Sequence, residues 1–374
     1  MGHPAHSFSL FAPTPSDAAT QHRIVQVITP SRYSGAERVL ARLVPQLEAR
    51  GHALHSVCNR LSPAIAEFRA AGLAIEPVAI GGKANVLAPQ VLQRVAQRYR
   101  ADFFHTHLSS ASWWAGWLEK FGGVPSLGHV HGFTSAIWHR SQKHLVAVSA
   151  AVKMHLVEQG IQEDRVTVIH NAVDPDDIQP RRLPLRVREE LGAGPKTPVI
   201  GCFAHLSPKK GWADLFRAIP MVLRSFPETQ FWCVGEGPLR EALLAEADRE
   251  GFMRQLRMTG FRRDVADLMR AVDIVALPSH REPLGLVYIE AGLLGRPVIG
   301  CTTGGAPEVV EHNGNGLLVP PKTPQALATA MMTLLDNRGD AEALGRRGRE
   351  RARADYSWAG YLDQLEKVYA RFAE

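Results

Sequence analysis

The sequence predicts an α/β protein built from two doubly wound parallel sheets. Short apolar runs, many of them rich in Val and Ile on both faces, alternate with helix-length amphipathic stretches along the whole chain. The length of 374 residues favours two domains, because one domain takes roughly 150 residues. Repeated strand–helix–strand units of this kind form doubly wound sheets.

Strands are predicted where an apolar run is short and bounded by turn residues. In the first half of the chain these runs are 24–28, 54–58, 74–80, 103–105, 127–130, 145–148 and 166–169. In the second half they are 198–203, 230–234, 256–259, 274–277, 298–301 and 317–319. Because many runs are apolar on both faces, we expect helices to cover both sides of each sheet.

Helices are predicted between these strands. Residues 36–50 repeat apolar side chains at helical spacing, as at Val39, Leu43 and Leu47, and Gly51 follows as a C-terminal stop. Similar helices are expected near 211–224, 239–250, 286–294 and 324–335. The last segment, 358–372, has the same spacing and is predicted to end the chain as a helix.

A segment rich in proline and arginine, residues 179–197, is the predicted linker between the two halves. Pro180, Pro184 and Pro195 interrupt it, and a new strand begins directly after it. We therefore expect one domain at 21–178, a second at 198–355 and a final helix at 356–374. Residues 1–20 are rich in Pro, Ser, Thr and Ala and are predicted to be a disordered tail.

Composition and charge exclude several classes of protein. No apolar run approaches the ~18 residues of a transmembrane helix, and the N-terminus lacks the basic start and longer apolar core of a signal peptide. The four cysteines have no metal-ligand spacing, which predicts buried free thiols in a reducing compartment. The net charge is +6, with basic clusters at 181–188 and 346–353. The basic clusters are not accompanied by aromatic-basic binding motifs, so we expect no nucleic-acid partner. An anionic substrate or an anionic membrane surface fits this charge.

Polar residues that follow the first-half strands are candidate ligands, because open parallel sheets bind at the carboxyl ends of their strands. Ser34 and Gly35 open a helix whose free N–H groups suit a phosphate, although a plain helix cap explains them equally well. His105 and His107 end one strand, and His131 follows the next beside a glycine. Such histidines suit a polar contact with substrate or are ordinary core residues. No acidic ligand is spaced with them, so no metal site is predicted.

A loop with paired lysines follows the strand at 198–203. His205, Lys209 and Lys210 precede a helix there, and the lysines could neutralise a diphosphate. The loop lacks the G-x-x-x-x-G-K-[ST] pattern of a Walker loop. Loop lysines are more commonly solvated surface residues, so this pattern needs support from other segments.

The most informative segment is 274–319. Glu282 lies in a loop with Gly285, and Glu290 lies eight residues later, about one turn inside the next helix. Leu, Val and Ile flank both glutamates, which argues against a solvated surface. Glu290 could accept both hydroxyls of a ribose, because a carboxylate accepts two hydrogen bonds at once. Backbone N–H groups at 285–287 could hold phosphates.

From Arg23 to the C-terminus the chain resembles the retaining glycosyltransferases of family 4. The most specific element is the E-x7-E pattern from Glu282 to Glu290, followed by Gly304-Gly305-x-x-Glu308. Further matching elements include Ser34-Gly35-Ala36-Glu37-Arg38, Asp102-x-x-His105-x-His107, His131-Gly132, Asn171-x-Val173-Asp174 and Gly235-x-Gly237-Pro238. The resemblance implies the GT-B fold, in which two Rossmann-like domains face each other and a C-terminal helix crosses back to the N-terminal domain.

The resemblance also implies a reaction. A sugar would pass from a UDP- or GDP-sugar, with retained anomeric configuration, to a glycan or lipid-linked acceptor. Glu290 would hold the donor ribose, Glu282 would sit near the donor sugar, and Lys210 would neutralise the diphosphate. The other implied donor contacts are Gly35, His205, Lys209, Phe261, Arg262, Gly285, Leu286 and Val287. The implied acceptor-side residues are Ser34, His105, His107 and His131, and the implied catalytic residues are His131, Glu282 and Lys210.

Two positions depart from the family pattern. The family arginine in the loop before Lys210 is His205 here, and a neutral imidazole offers one donor where a guanidinium offers a charged fork. Diphosphate binding is then expected to rely on Lys209 and Lys210, or to become pH-sensitive. Ser34 replaces the first glycine of a usual pair, which is a milder change because Ser can also begin a helix.

The remaining expectations concern the setting of the reaction. We recognise no aspartate metal clamp and therefore predict a metal-independent enzyme without a cofactor. We expect a role in cell-surface polysaccharide or lipopolysaccharide synthesis, in the cytoplasm and peripheral at the inner face of the membrane. Trp113, Trp117 and Lys120 suit a membrane interface or, equally, a packed core. A sugar-nucleotide epimerase of the same fold and a non-catalytic sugar-nucleotide-binding protein stay open as alternatives.

Overall fold

A computed structural model describes residues 21–31, 33 and 35–372. The predicted tail at 1–20 and the acceptor-side candidate Ser34 lie outside the described residues. Within those residues, the chain forms two parallel sheets flanked by helices, which confirms the predicted fold class.

The first sheet has seven described strands in the order β3-β2-β1-β4-β5-β6-β7, all paired in parallel. The strands are β1 (Arg23–Ile28), β2 (Ala53–Asn59), β3 (Glu76–Val78), β4 (Phe103–His107), β5 (Ser126–Val130), β6 (His144–Ala147) and β7 (Val166–Val168). The order reverses between β1 and β4, and ligands of such sheets bind beyond the strand ends at that crevice.

The second sheet has six described strands in the order β10-β9-β8-β11-β12-β13, again parallel throughout. The strands are β8 (Val199–Phe203), β9 (Gln230–Val234), β10 (Leu256–Gly260), β11 (Ile274–Ala276), β12 (Val298–Cys301) and β13 (Gly316–Val319). Its order reverses between β8 and β11. The loops after these two strands therefore open at the equivalent crevice of the second half.

Helices cover both sheets. In the first half they are α1 (Gly35–Ala49), α2 (Ile65–Ala70), α3 (Ala88–Tyr99), α4 (Ser109–Lys120) and α5 (Ala150–Glu158). The chain continues through α6 (Pro184–Glu190), α7 (Trp212–Ser225), α8 (Arg240–Arg249), α9 (Val265–Ala271) and α10 (Leu286–Leu293). It ends with α11 (Ala306–Val309), α12 (Pro324–Asp336), α13 (Arg338–Asp355) and α14 (Trp358–Tyr369). Each of these helices is too short or too polar to cross a bilayer.

Three elements differ from the sequence prediction. The run 74–80 forms only the short edge strand β3, where Pro77 cannot donate a ladder hydrogen bond. The segment 179–197 contains α6, because Pro184 stands in the first turn, where its missing N–H costs nothing. The arginine-rich run at 346–353 belongs to α13, whose buried stripe includes Gly345 and Gly348 and so carries a weak apolar pattern.

The prediction of a final helix that crosses back is confirmed. Helix α14 packs its buried face, including Leu362 and Leu365, in one core cluster with Val39 and Leu43 of α1. The Tyr369 hydroxyl reaches the ring of His105 in β4 at 2.9 Å. The last helix of the chain is therefore part of the hydrophobic core of the first half. The four cysteines are free and buried, as predicted.

Helices α10 and α13 approach each other closely because glycines line their contact. A Cβ atom at Gly292 would lie 2.9 Å from the Gly348 carbonyl oxygen, and one at Gly345 would lie 2.3 Å from the Gly295 carbonyl oxygen. Side chains at these positions would push the two helices apart. This contact places the arginine face of α13 against the C-terminal end of α10.

Candidate active site

A cleft of about 1760 Å³ lies between the two halves and is lined by residues from both sheets. The loop after β5 contributes His131, α1 contributes Gly35, and the loops after β8 and β11 contribute Lys210 and Glu282. The cleft therefore occupies the carboxyl ends of the strands, where open parallel sheets bind ligands. It exceeds the ~300–1,000 Å³ typical of small-molecule sites, so it has room for two substrates.

Lys210 and Glu282 form an ion pair in the floor of the cleft. The Lys210 Nζ atom lies 2.6 Å from a Glu282 carboxylate oxygen, and both side chains are largely buried. Lys210 ends a 3-10 turn at Pro208–Lys210, and Gly211 follows with φ of +73°. A Cβ atom at Gly211 would lie 1.8 Å from the Pro278 carbonyl oxygen, so only glycine lets the lysine loop pack against the β11 loop.

Glu290 is buried in α10 and pairs with an arginine of the opposite half. The Arg38 Nη2 atom of α1 lies 3.1 Å from the Glu290 Oε1 atom, and the Glu290 side chain is only 6% exposed. A carboxylate oxygen accepts more than one hydrogen bond, so Glu290 can hold Arg38 and still accept from a ligand hydroxyl. The pair also ties α1 to α10 across the cleft.

The N-terminus of α10 opens into the cleft beside Glu282. Gly285 precedes the helix with φ of +98°, and no side chain in the described part of the chain caps this end. Gly285, Leu286 and Val287 all line the cleft. Backbone N–H groups at an uncapped helix start, with the positive end of the helix dipole, attract a phosphate or another anion.

His131 faces the cleft from the first half and belongs to a chain of hydrogen bonds. Its Nε2 atom lies 2.9 Å from Nδ1 of His107, whose Nε2 atom lies 3.0 Å from the Gln26 side-chain oxygen. Because that oxygen only accepts, His107 donates to it through Nε2 and accepts from His131 through Nδ1. His131 thus donates through Nε2 and keeps a lone pair on Nδ1. Burial lowers the pKa of His131 to about 3, so the ring is neutral near neutral pH.

The other two histidines of this cluster lie deeper. His105 Nδ1 contacts the Tyr369 hydroxyl at 2.9 Å, and His105 Nε2 lies 3.3 Å from His129 Nδ1. Ligand atoms of His105, His107 and His129 all lie within 4.8 Å of one another, an arrangement that could hold a metal ion. Several of these nitrogens already take part in hydrogen bonds within the cluster, and no acidic residue is in the group. The absence of a metal therefore stays a prediction.

The predicted site residues fall into two groups. His131, Gly35, His205, Lys209, Lys210, Phe261, Arg262, Glu282, Gly285, Leu286, Val287 and Glu290 all line the cleft. His105 and His107, predicted on the acceptor side, are fully buried beneath it instead. They end a strand whose side chains are all covered, so they reach a ligand only through His131.

Phe261 and Arg262, two donor contacts that the family resemblance places beside the nucleotide base, differ in how the structure holds them. Phe261 is exposed on the cleft wall, as a ring that stacks on a ligand base would be. The Arg262 guanidinium pairs with Asp264 at 2.6 Å and with Glu190 at 3.0 Å. Its planar face, rather than its hydrogen-bond donors, therefore suits contact with a ligand.

Sequence reasoning missed three features of the site. Arg38 stands one turn after Gly35 on the same helical face, a spacing that could have indicated it. Glu308 joins the two halves through contacts that only folding creates. Asp174 and Asp176 form an Asp-x-Asp triplet that lines the cleft. There the Asp174 carboxylate accepts the Asp176 N–H and caps the 3-10 turn Pro175–Ile178.

Known families match both halves of the chain. Residues 33–177 match the domain described as Glycosyltransferase Family 4, and residues 197–337 match the domain described as Glycosyl transferases group 1. A glycogen synthase of Mycobacterium tuberculosis is 28% identical over 74% of this chain. A GDP-mannose-dependent monoacylated alpha-(1-6)-phosphatidylinositol monomannoside mannosyltransferase of Corynebacterium glutamicum is 35% identical over 48% of it. The chain spans 64% of the length of the first relative and 49% of the second.

Solved structures share the fold. Anabaena Alr3699/HepE in complex with UDP and glucose matches with a TM-score of 0.83 and 23% identity, over 94% of this chain and all of the other. WaaG, described as a glycosyltransferase involved in lipopolysaccharide biosynthesis, matches with a TM-score of 0.71 and 15% identity, over 92% and 99% of the two chains. With both halves matched in order and the cleft between them formed by the E-x7-E residues, this chain belongs to glycosyltransferase family 4, the glycosyl transferases group 1.

Proposed function

We propose that this protein is a retaining glycosyltransferase that moves a sugar from a nucleoside diphosphate sugar to a glycan or lipid-linked acceptor. One observation carries the proposal. Lys210, Glu282, Glu290 and the N-terminus of α10 converge on one wall of the cleft, while neutral His131 faces them from the other half. This arrangement offers cationic and backbone donors for a diphosphate next to carboxylate acceptors for sugar hydroxyls.

The donor would bind along α10. Its ribose hydroxyls would donate to Glu290, which shares its carboxylate with Arg38. Its diphosphate would lie at Gly285, Leu286 and Val287, within reach of Lys210. Breaking the sugar–phosphate bond adds negative charge to the departing diphosphate, and preorganised N–H groups and a lysine stabilise that charge.

The acceptor would approach from the first half. His131 donates through Nε2 to His107, and its Nδ1 atom is buried without a hydrogen-bond partner among the described residues. A sugar or acceptor hydroxyl that reaches this atom would donate to its lone pair. With retained configuration, the acceptor attacks on the face that the diphosphate leaves. The departing phosphate oxygen can then take the acceptor proton, with no side-chain base required.

Two features support an acceptor at a membrane surface, for synthesis of a cell-surface polysaccharide, lipopolysaccharide or related glycolipid. Trp117 and Phe121 are exposed beside Lys120 at the end of α4. Aromatic rings next to a cation suit the interface of an anionic membrane. The Corynebacterium glutamicum relative is named for transfer to a phosphatidylinositol mannoside.

The experiment that tests this function is a panel of UDP-, GDP- and ADP-sugars, scored first by protection against thermal unfolding. The donor that protects is then incubated with glycan and lipid-linked acceptors, and the anomeric configuration of the product is determined. We expect transfer with retention. An epimerised donor without acceptor, or binding without transfer to any acceptor, would overturn the proposal.

Activity is expected to be independent of a divalent metal, because Lys210 and the start of α10 supply the charge that stabilises the leaving diphosphate. Turnover is measured with and without a chelator. We expect equal rates. Complete loss of turnover that magnesium or manganese restores would show that a metal takes part.

A further inference from the structure

A second cavity, of about 190 Å³, lies outside the cleft, where the segment that joins the two halves crosses the ends of three helices. Arg270 from the last turn of α9 lines it, together with Arg349 and Arg353 from one face of α13. Its other walls are mainly apolar and include Ile178 and Leu293. None of the described residues that line it is Asp or Glu. We call it the arginine cavity.

The positive charge of this cavity is not neutralised by the described part of the chain. Arg349 donates from Nε and Nη2 to the carbonyl oxygens of Leu293 and Leu294 at the end of α10, both at 3.1 Å. Arg349 thereby caps the C-terminal end of α10, whose carbonyl groups carry no full negative charge. No ion pair in the described residues involves Arg270, Arg349 or Arg353. By contrast Arg351, on another face of α13, pairs with Glu311.

Placing these guanidinium groups together is unfavourable without a counterion. Burial and the nearby charge of Arg349 lower the pKa of Arg270 below its ordinary value. Apolar walls reduce the local dielectric, which strengthens repulsion between like charges and equally strengthens attraction to an anion. An anion bound between the arginines would turn the repulsion into charge-assisted hydrogen bonds.

The size and chemistry of the cavity select a phosphate group. Guanidinium forks match phosphate oxygens in pairs, which favours phosphate over a monovalent ion such as chloride. At about 190 Å³ the cavity is smaller than the ~300–1,000 Å³ of sites that enclose a drug-sized ligand. A phosphate or diphosphate fits this volume, whereas a whole nucleotide sugar does not.

We propose that the arginine cavity is an anion site that binds a phosphate group, supplied by a small soluble phosphate ester or by a phospholipid headgroup. Arg270, Arg349 and Arg353 hold the phosphate oxygens from two helices. The site is separate from the cleft, but Ile178 and Gln179 line both. A phosphate there would therefore contact the segment that joins the two halves.

The test compares arginine variants of the full-length protein. Binding of inorganic phosphate and of diphosphate is measured by calorimetry and by thermal protection, against chloride at matched ionic strength. Arg353→Gln and Arg270→Gln are each expected to weaken binding about tenfold, the loss of one charge-assisted contact. Arg346→Gln is the matched control, because Arg346 is exposed on the same helix and does not line the cavity. Arg353 is exposed too, so its replacement leaves folding intact and keeps the test decisive.

Further variants separate this site from the cleft. Lys210→Gln removes a cation of the cleft, so it is expected to weaken diphosphate binding there. The component of phosphate binding that Arg353→Gln removes is expected to be kept in Lys210→Gln. Binding that is lost in Lys210→Gln but kept in Arg353→Gln would assign the anion to the cleft and overturn the proposal. Equal losses of phosphate binding in Arg346→Gln and Arg353→Gln would mean that phosphate binds through general surface charge. That result would also overturn the proposal. No sugar donor is used, so failure here leaves the proposed transfer reaction untouched.

An experiment with lipid vesicles identifies the source of the phosphate group. Sedimentation with phosphatidylglycerol vesicles, with phosphatidylcholine vesicles as the neutral reference, is measured for wild type, Arg353→Gln and Arg346→Gln. Vesicle binding that Arg353→Gln alone reduces identifies a headgroup, and phosphate binding without vesicle binding identifies a soluble ester. The absence of both kinds of binding in the wild type contradicts the site.

Discussion

At the scale of single residues, each glutamate of the E-x7-E pattern pairs with a cation in the cleft. Lys210 pairs with Glu282 within the second half, and Arg38 pairs with Glu290 across the cleft. Both carboxylates are buried. If its paired cation moves away, the carboxylate is a poorly solvated charge that accepts strongly from a hydroxyl or another donor. The two pairs therefore prepare acceptors for a polyhydroxylated ligand.

Glu290→Ala is expected to weaken nucleotide binding, because two hydrogen bonds to the ribose are lost. These bonds are worth roughly 1–3 kcal/mol if both are desolvated. Arg38→Gln is the companion variant, and we expect it to bind nucleotide at least as tightly as the wild type, since Arg38 competes for the same carboxylate. Calorimetry with the protecting nucleotide measures both. Unchanged affinity in Glu290→Ala would contradict the ribose assignment.

His107→Leu is expected to lower kcat while the KM for the donor changes little. His107 accepts from Nε2 of His131 and so sets which nitrogen of that ring keeps its lone pair. His105→Leu is a matched control, because His105 is equally buried on the same strand but bonds to Tyr369 and His129. Steady-state kinetics of both variants measure kcat and the KM for the donor. Equal losses of kcat would mean that the cluster acts only through packing.

At the scale of elements, β4 and β5 place a layer of imidazoles on one covered face of the first sheet. His107 is in register with His129, and His105 and His131 lie two residues away on the same faces. Helix α14 covers the far side through Tyr369. Burial lowers the pKa of His105, His107, His129 and His131, so the layer is neutral in the folded protein.

This layer predicts that stability falls as the pH falls. Unfolded histidines take up protons near their ordinary pKa of about 6.5, whereas in the folded state His131 does so only near about 3. Between these values the unfolded state binds more protons, so the free energy of unfolding decreases with acidification, by up to about 1.36 kcal/mol per pH unit for each histidine. Urea unfolding between about pH 7 and about pH 5 measures the slope.

A variant isolates one histidine of the layer. His105→Gln is expected to reduce the slope by about one proton. His312→Gln is the control, because His312 is exposed and lies in the second half, outside the layer. If the free energy of unfolding depends on pH with the same slope in wild type and His105→Gln, the contribution assigned to His105 is contradicted.

At the scale of the whole molecule, a single carboxylate joins the two halves away from the cleft. Glu308 of α11 accepts from the Ala150 and Ala151 N–H groups at the start of α5, at 2.7 and 3.0 Å, and contacts His170 at 2.8 Å. Burial acts to raise the pKa of Glu308, but the His170 and N–H contacts outweigh it and lower that pKa. Negative charge at a helix N-terminus is stabilising.

Glu308→Ala is expected to loosen the contact between the halves and to increase the radius of gyration. Glu311→Ala is the control, because Glu311 is exposed and pairs with Arg351 inside the second half. Small-angle X-ray scattering without and with nucleotide measures both variants. An unchanged radius of gyration in Glu308→Ala would show that other contacts hold the two halves together.

The strands, the final helix and the E-x7-E segment were predictable, because each depends on local periodicity or on short spacing. The crossing of α14 back to the first half followed from the family resemblance. Glu282 and Glu290, eight residues apart, fall on one loop and the first turns of one helix, so their proximity is local. Helix α13 was not predictable as an element, because glycine replaces apolar residues on its buried face. The sequence left open whether His105 and His107 contact substrate or belong to the core, since periodicity does not say which strand end another element covers.

By itself, the sequence determined the two-sheet fold, the family and a set of residues that line the cleft, because local hydrophobic pattern and short motifs carry that information. Only the tertiary structure decided the pairing of Arg38 with Glu290, the bridge from Glu308 to α5 and the grouping of Arg270 with Arg349 and Arg353. These contacts join residues 79 to 252 positions apart in the chain. The first two form only when the two halves meet, and the third forms only when α9 and α13 pack in the second half, so no local pattern encodes them.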